Sequence, residues 1–394
     1  MRISSLHIAF FGAALASTVP AWAVYAPVPE SEQGEEFTYA VRAGISYDSN
    51  IFGSASGAIG STVYEVAPKI DFNASLTKET FASASYEAVI DEYQNRPGSK
   101  TLDSHYLTAK LAHSFSKTSQ VFLTDAFSVV RNPASTLNGV PVNADQSYEN
   151  NTADGKFSFA PSELITTTIK VQDTYYHYLS SVLSDTLDRN EDLFGLQGDY
   201  AMLPDLKAVA EYRHQDVDYV HNSGTDNKHT EFALTGVDYN PGPKTTVGVR
   251  VGAEYRNRDG APNITTPYAE LTAKYAYGEK SFVSAGYTYD LEEVSDTIHF
   301  TDSKVNRFFV NVQHAVTETF VASASIDYEP SILLGRSPQV NINEDTTRAG
   351  LALSYIPNKN WTFTASYDYD FVDSQLASRG LNRSRTGAFA TYSF

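Results

Sequence analysis

From Phe37 to Phe394 apolar and polar residues alternate in runs of about a dozen, and the runs are separated alternately by tight turns and by long polar segments. Trp361 to Phe371 shows the unit most cleanly: Trp361, Phe363, Ala365, Tyr367, Tyr369 and Phe371 share one face, and Thr362, Thr364, Ser366, Asp368 and Asp370 share the other. A period of two is the side-chain period of a strand with one apolar and one wet face. Short connections of Gly, Pro, Asn or charged residues recur at 77–80, 116–119, 161–163, 203–205, 241–244, 278–280, 316–319 and 357–360. Between them lie polar segments near 48–61, 94–102, 131–146, 179–187, 218–228, 257–265, 294–303, 330–343 and 373–383. Eight turns interleaved with nine loops predict about 18 antiparallel strands with both ends of the barrel segment on one side. The expected fold is all-β, a transmembrane antiparallel barrel of the outer-membrane type.

Alternation alone also fits a soluble sandwich, and the rest of the chain separates the two. Arg2, the apolar run Ile8 to Val19 and Ala21-Trp22-Ala23 have the form of a cleaved secretory signal over 1–23. A short periplasmic segment, 24–36, then precedes a barrel over 37–394 and is too short for a folded plug. No later stretch approaches the length of a membrane helix, so any crossing is by strands. The balance of 47 acidic against 29 basic residues excludes a nucleic-acid binder, and the absence of cysteine excludes a disulfide framework. High Tyr and Phe content with negative mean hydropathy suits a narrow outer apolar band around a polar interior.

The alternation also assigns faces. Val247, Val249, Val251, Ala253 and Tyr255 are expected to meet lipid, with Gly248, Arg250, Gly252, Glu254 and Arg256 inward; Phe320, Ala322, Ala324, Ile326 and Tyr328 point out, with Ser323, Ser325, Asp327 and Glu329 inside. The pore-lining candidates are Glu65, Lys69, Asp71, Glu87, Lys170, Glu211, Arg213, Arg250, Glu254, Glu270, Lys274, Asp327, Arg348 and Asp368. Such charges set selectivity in a water-filled pore or brace its wall as ion pairs, and the sequence leaves both open. Asn150 to Lys156 is polar throughout and reads equally as strand or loop. Tyr and Phe at inward positions, such as Phe389, offer faces on which sugar rings stack. The acid-rich stretch Asp290 to Glu293 with Asp296 lacks the fixed spacing of a calcium loop, and neither a metal nor a cofactor site is assigned. His113, His177, His214 and His314 lie on different strands without a nucleophile elbow, H-E-x-x-H or P-loop, so no enzyme is read.

Tyr47, Asp48, Ser49, Asn50, Ile51 and Phe52 at the end of the first strand resemble the signature that opens the putative β-barrel porin 2 family. Physically, Asp48 and Asn50 suit an Asx turn at a strand end. The resemblance implies an outer-membrane barrel, often encoded in exopolysaccharide loci, acting as a porin or as the exit of polysaccharide export with a periplasmic export protein. Tyr392 and Phe394 resemble the terminal signal read by the barrel-assembly machinery of diderm bacteria. The functional expectation is a channel for hydrophilic solutes, with polysaccharide or oligosaccharide export as the finer reading. The alternative is a closed structural or adhesive barrel that binds partners through its loops. Expected partners are outer-membrane lipid, the assembly machinery and the export protein, with no nucleic acid.

Overall fold

The computed structural model describes residues 36–77, 79–131, 146–221 and 223–394. The expected leader 1–23, the segment 24–36 apart from Glu36, and most of the loop Arg131 to Ser147 lie outside them.

Eighteen strands form one sheet closed on itself. They are β1 Phe37–Asp48, β2 Ser61–Ser75, β3 Thr80–Tyr93, β4 Thr101–Ser116, β5 Ser119–Val130 and β6 Tyr148–Phe159. Next come β7 Ile165–Tyr178, β8 Arg189–Leu203, β9 Leu206–Tyr219, β10 Lys228–Gly242, β11 Thr245–Arg258 and β12 Ile264–Gly278. The last six are β13 Ser281–Glu292, β14 Phe300–Ala315, β15 Phe320–Gly335, β16 Ile342–Tyr355, β17 Trp361–Ser374 and β18 Leu381–Ser393. Each strand pairs antiparallel with its neighbours in sequence, and β1 pairs with both β2 and β18. Closure leaves no sheet edge, which is what a strand-built membrane span requires. No helix among the described residues is long and apolar enough to cross a membrane.

The turn chemistry follows the side chains. Asn358 Oδ1 accepts from the backbone N–H groups of Asn360 (2.9 Å) and Trp361 (3.1 Å), and Thr317 Oγ1 accepts from that of Phe320 (3.0 Å). These local bonds reverse the chain in a few residues and set the register of the following strand.

The expected faces appear in the accessibility pattern. On β11, Val251 and Tyr255 are exposed while Arg250, Glu254 and Arg256 are buried; on β15, Phe320, Ile326 and Tyr328 are exposed while Ser323 and Glu329 are buried. Asn150 to Lys156 is wall, the central part of β6.

The sequence-based rule that charges turn inward fails at one end of β4 to β10. The cross-strand register puts Asp125, Asp173, Asp192 and Asp216 on the outward face, together with His214, which pairs with Asp216 (3.1 Å) and Glu231 (2.8 Å). On β7 the outward positions run Ile165, Thr167, Ile169 and Val171, then Asp173, Tyr175 and His177. This strand has 14 residues, whereas a tilted span needs about 9–11. Counted from Ile165, a span of that length ends between Asp173 and Tyr175, so Asp173 sits at its boundary and the last few residues of β7 extend beyond it, while Asp125, seventh of the twelve residues of β5, lies deeper.

Connections at the long-loop end fold inward. Leu183 and Leu187 of the short helix α1 (Ser181–Leu187) pack on Val130, Tyr148 and Tyr178; Ile51 packs on Val63, Tyr93 and Leu102; Val294 packs on Phe300, Leu333 and Ile342. Three small apolar clusters thus replace a central core and narrow the mouth from different sides.

Candidate functional site

All fourteen charged candidates lie on the inward face of the barrel, because the register carries one parity from strand to strand: Glu65 faces Asp91, Lys69 faces Glu87, Asp327 faces Arg348 and Asp368 faces Arg385. What they do there differs from a ring of free charges. Glu211 lies 2.7 Å from Lys170 Nζ, 2.9 Å from Arg213 Nε and 3.6 Å from Arg250 Nε. Arg250 continues to Asp238 (2.7 Å), and Tyr268 donates to Glu270 (2.9 Å) while accepting from Arg213 (3.2 Å). The chain of contacts runs across β7 to β12. A second group joins Arg307 to Glu292 (2.8 Å) and Glu329 (2.5 Å), and Arg348 to Asp327 (3.3 Å) and Glu329 (3.2 Å). A third joins Arg42 to Glu65 (2.6 Å) and Glu87 (3.2 Å), with Lys69 on Asp71 (2.8 Å) beside it.

Most candidates are therefore committed to pairs, which brace neighbouring strands or, as with Lys69 and Asp71, lie within one strand. Three are not. Glu254 accepts the backbone N–H of Leu291 (2.8 Å) through one oxygen while the other has no partner, Lys274 stands 4.9 Å from the centre of the Phe282 ring, and Asp368 makes neither a hydrogen bond nor an ion pair among the described residues. In a low-dielectric wall, paired charges still present dipoles to a passing solute, so the face is polar.

At the mouth Glu293 of the acid-rich stretch, and Asp302 near it, are occupied by cations of this chain. Glu293 takes Lys228 (2.5 Å), Arg256 (3.1 Å) and the Tyr219 hydroxyl (2.8 Å), and Asp302 takes Arg256 (2.7 Å) and Arg258 (2.6 Å). Burial pushes the Glu293 carboxyl up, but Lys228 and Arg256 outweigh it and hold it below the usual carboxylate range. Arg336, on the β15–β16 connection, reaches Asp226 of the short turn α2 (Ser223–Asp226) at 2.6 Å, so loops far apart in sequence interlock. Among the described residues no group of His, Asp and Glu side chains converges as a metal site.

The motif at the end of β1 is a seam lock as well as a turn. Asp48 Oδ1 accepts the Asn50 N–H (2.9 Å), completing the Asx turn, and both Asp48 oxygens face Arg383 Nε on β18 at 3.1 Å. Asn50 braces the following loop through Ser54 and the carbonyl of Asn382, Ile51 is fully buried, and Phe52 lies 5.1 Å from the Arg96 guanidinium. Tyr47 points outward. At the other end of the seam, Tyr392 and Phe394 also point outward, with Tyr392 4.8 Å from Trp361 and the Phe394 N–H bonded to the Tyr39 carbonyl (2.9 Å). Sequence reasoning missed Arg42, Arg307 and Arg383, whose strand parity marks them as inward, and the lumenal Phe309, the cross-strand partner of Gly286.

A family model described as putative beta-barrel porin 2 matches residues 37–393. Among solved structures the chain is similar to Pseudomonas aeruginosa OpdQ, with 11% identity, TM-score 0.47 and coverage of 91% of this chain and 99% of that one. Acinetobacter baumannii OccAB3 gives 11%, 0.46, 91% and 100%, and Pseudomonas aeruginosa OccK5 gives 12%, 0.48, 91% and 98%. No curated protein matches.

Proposed function

The chain belongs to the putative β-barrel porin 2 family and is an outer-membrane porin-like barrel, and from that premise we propose that it passes hydrophilic saccharides, exporting polysaccharide or oligosaccharide delivered by a periplasmic partner. The observation that carries the reading is the inward face of the 18-stranded sheet, lined from β1 to β18 by ion-paired and hydroxyl side chains. Barrels of 16–18 strands leave an aqueous interior, whereas those of about eight fill theirs with side chains. A cleaved signal over 1–23, a diderm host and recognition of Tyr392 and Phe394 by assembly machinery complete the proposal.

A second reading, a closed structural or adhesive barrel, draws on the inward-folded loops that pack Ile51, Leu183 and Val294 at the mouth. Planar-bilayer recording separates the two. Purified, refolded protein is expected to give discrete ohmic steps; a folded barrel that never conducts, at any voltage, favours the closed reading and ends the channel one.

A further inference from the structure

A cavity of about 300 Å³ opens on the wall of β13 to β18, and its lining includes Phe309, Asn311, Asp368, Asp370 and Arg385. Its aromatic floor is held in place by a missing side chain. Gly286 is the cross-strand partner of Phe309, and a Cβ on Gly286 would come within 2.3 Å of the ring, so the ring occupies the space that any other residue there would fill. Phe389, four residues along β18 from Arg385 and so about 13 Å away, repeats the arrangement on two glycines at once. A Cβ on Gly44 would lie 2.1 Å from ring carbon Cδ1, and one on Gly387 would lie 2.4 Å from Cε2. Opposite edges of the ring therefore touch the backbone. One face lies on the wall and the other is turned to the lumen.

The polar groups round the cavity are only partly used. Arg385 gives Nη2 to Asp370 (2.8 Å), but its buried Nε has no partner among the described residues. Asp368, directly across from Arg385 in the register, accepts nothing, and the Asn311 side chain makes no hydrogen bond among the described residues. Arg385 Nε is a buried donor without an acceptor among the described residues, which is costly, and the half-buried Asp368 offers an acceptor to the lumen; Glu254, Asp290 and Thr362 also leave polar atoms unpartnered on this wall. An organic cation would satisfy Asp368 and leave Arg385 Nε unmet; an anion would do the reverse. A hydroxyl donates and accepts, so vicinal hydroxyls satisfy both. A pyranose also has an apolar C–H face that fits an aromatic ring, and the cavity is at the small end of ligand sites.

We propose that this wall carries a carbohydrate subsite, in which one neutral pyranose lies on Phe309 with hydroxyls on Asp368 and Arg385, and another ring of the same oligosaccharide lies on Phe389. The inference rests on the saccharide-channel reading and adds a place where the sugar is held.

The test uses the full barrel with maltohexaose and cellohexaose as probes and a polyethylene glycol of matched size as control. In planar bilayers either sugar is expected to interrupt the current with saturating concentration dependence, while the polyether does not saturate. Phe309→Ala and Phe389→Ala are each expected to weaken the block about tenfold, the scale of one aromatic contact, and Phe309→Tyr to restore it. Saturation-transfer NMR on the barrel in a sugar-free detergent gives a readout independent of conductance: sugar C–H protons receive saturation in the wild type and lose it in the alanine variants. Conductance with no sugar-specific block and no transfer overturns the subsite and leaves the channel standing. A wild-type barrel that is closed overturns the channel reading, and transfer alone then decides the subsite.

Discussion

Replacing Arg383 by alanine is expected to destabilise the folded barrel by about 3–5 kcal/mol, the scale for breaking a buried ion pair from one side. Arg383 and Asp48 are both almost wholly buried, and they join the last strand to the first. Removing the guanidinium leaves a carboxylate stranded in the wall where only the Asn50 N–H remains to it. The seam is one of the two shortest strand pairs: the β1–β18 register runs from Ala40/Ser393 to Asp48/Arg385, nine pairs, as for β12–β13, against twelve for β1–β2. The paired replacement Asp48→Val with Arg383→Met is expected to recover most of the loss, because it leaves no orphaned charge. Urea titration of the refolded barrel, followed by the heat-dependent shift on gels, reads both. Single variants within about 0.5 kcal/mol of wild type, the level of an ordinary surface change, would show that Asp48 does not lock the seam.

The second large effect is on the outer face. Ile326 sits near the middle of β15 between Val310 and Ala349, with apolar neighbours on both sides. Ile326→Arg is expected to cost about 2–4 kcal/mol in lipid, the range for arginine near the bilayer midplane. Ser325→Arg, one residue along at the same depth, turns into the lumen and is expected to cost less than a third of that. The contrast carries the information, since both variants add the same side chain to the same strand. Equal costs in refolding from urea into lipid vesicles would mean that the two faces are not distinguished by solvent.

Much of this barrel is legible in the sequence because a strand repeats every two residues and a transmembrane wall enforces that period. The eight tight turns are where the residues predict, and so are the nine long connections except that β14 already begins at Phe300 and β15 runs on to Gly335; the parity that places Glu211 and Arg250 inside holds across the register. Partners are another matter. Alternation says that Arg307 points inward but not that Glu292 and Glu329 on flanking strands will neutralise it, because tilt decides which inward residues share a height. The outward aspartates escaped because a rule about faces assigns every charge to the lumen, and the alternation carries no information on depth along the strand. The loops were least legible. Ile51, Leu183 and Val294 are apolar residues within polar connections, and their clusters form only when the chain turns back into the mouth. Asp48 shows both sides: its Asx turn is local and readable, whereas Arg383 is 335 residues away.

A thiol scan along β3 tests the central claim, a water-filled lumen behind an alternating wall, most directly. The chain has no cysteine, so each substitution introduces the sole reactive thiol. Ser83 and Ser85 face inward, and Ala84 and Tyr86 face outward. With a charged, membrane-impermeant methanethiosulfonate added during bilayer recording, cysteines at 83 and 85 are expected to react and lower the current in steps, while those at 84 and 86 leave it unchanged. Reaction at 84 and 86, or no current change at 83 and 85 in a folded barrel, would contradict the account.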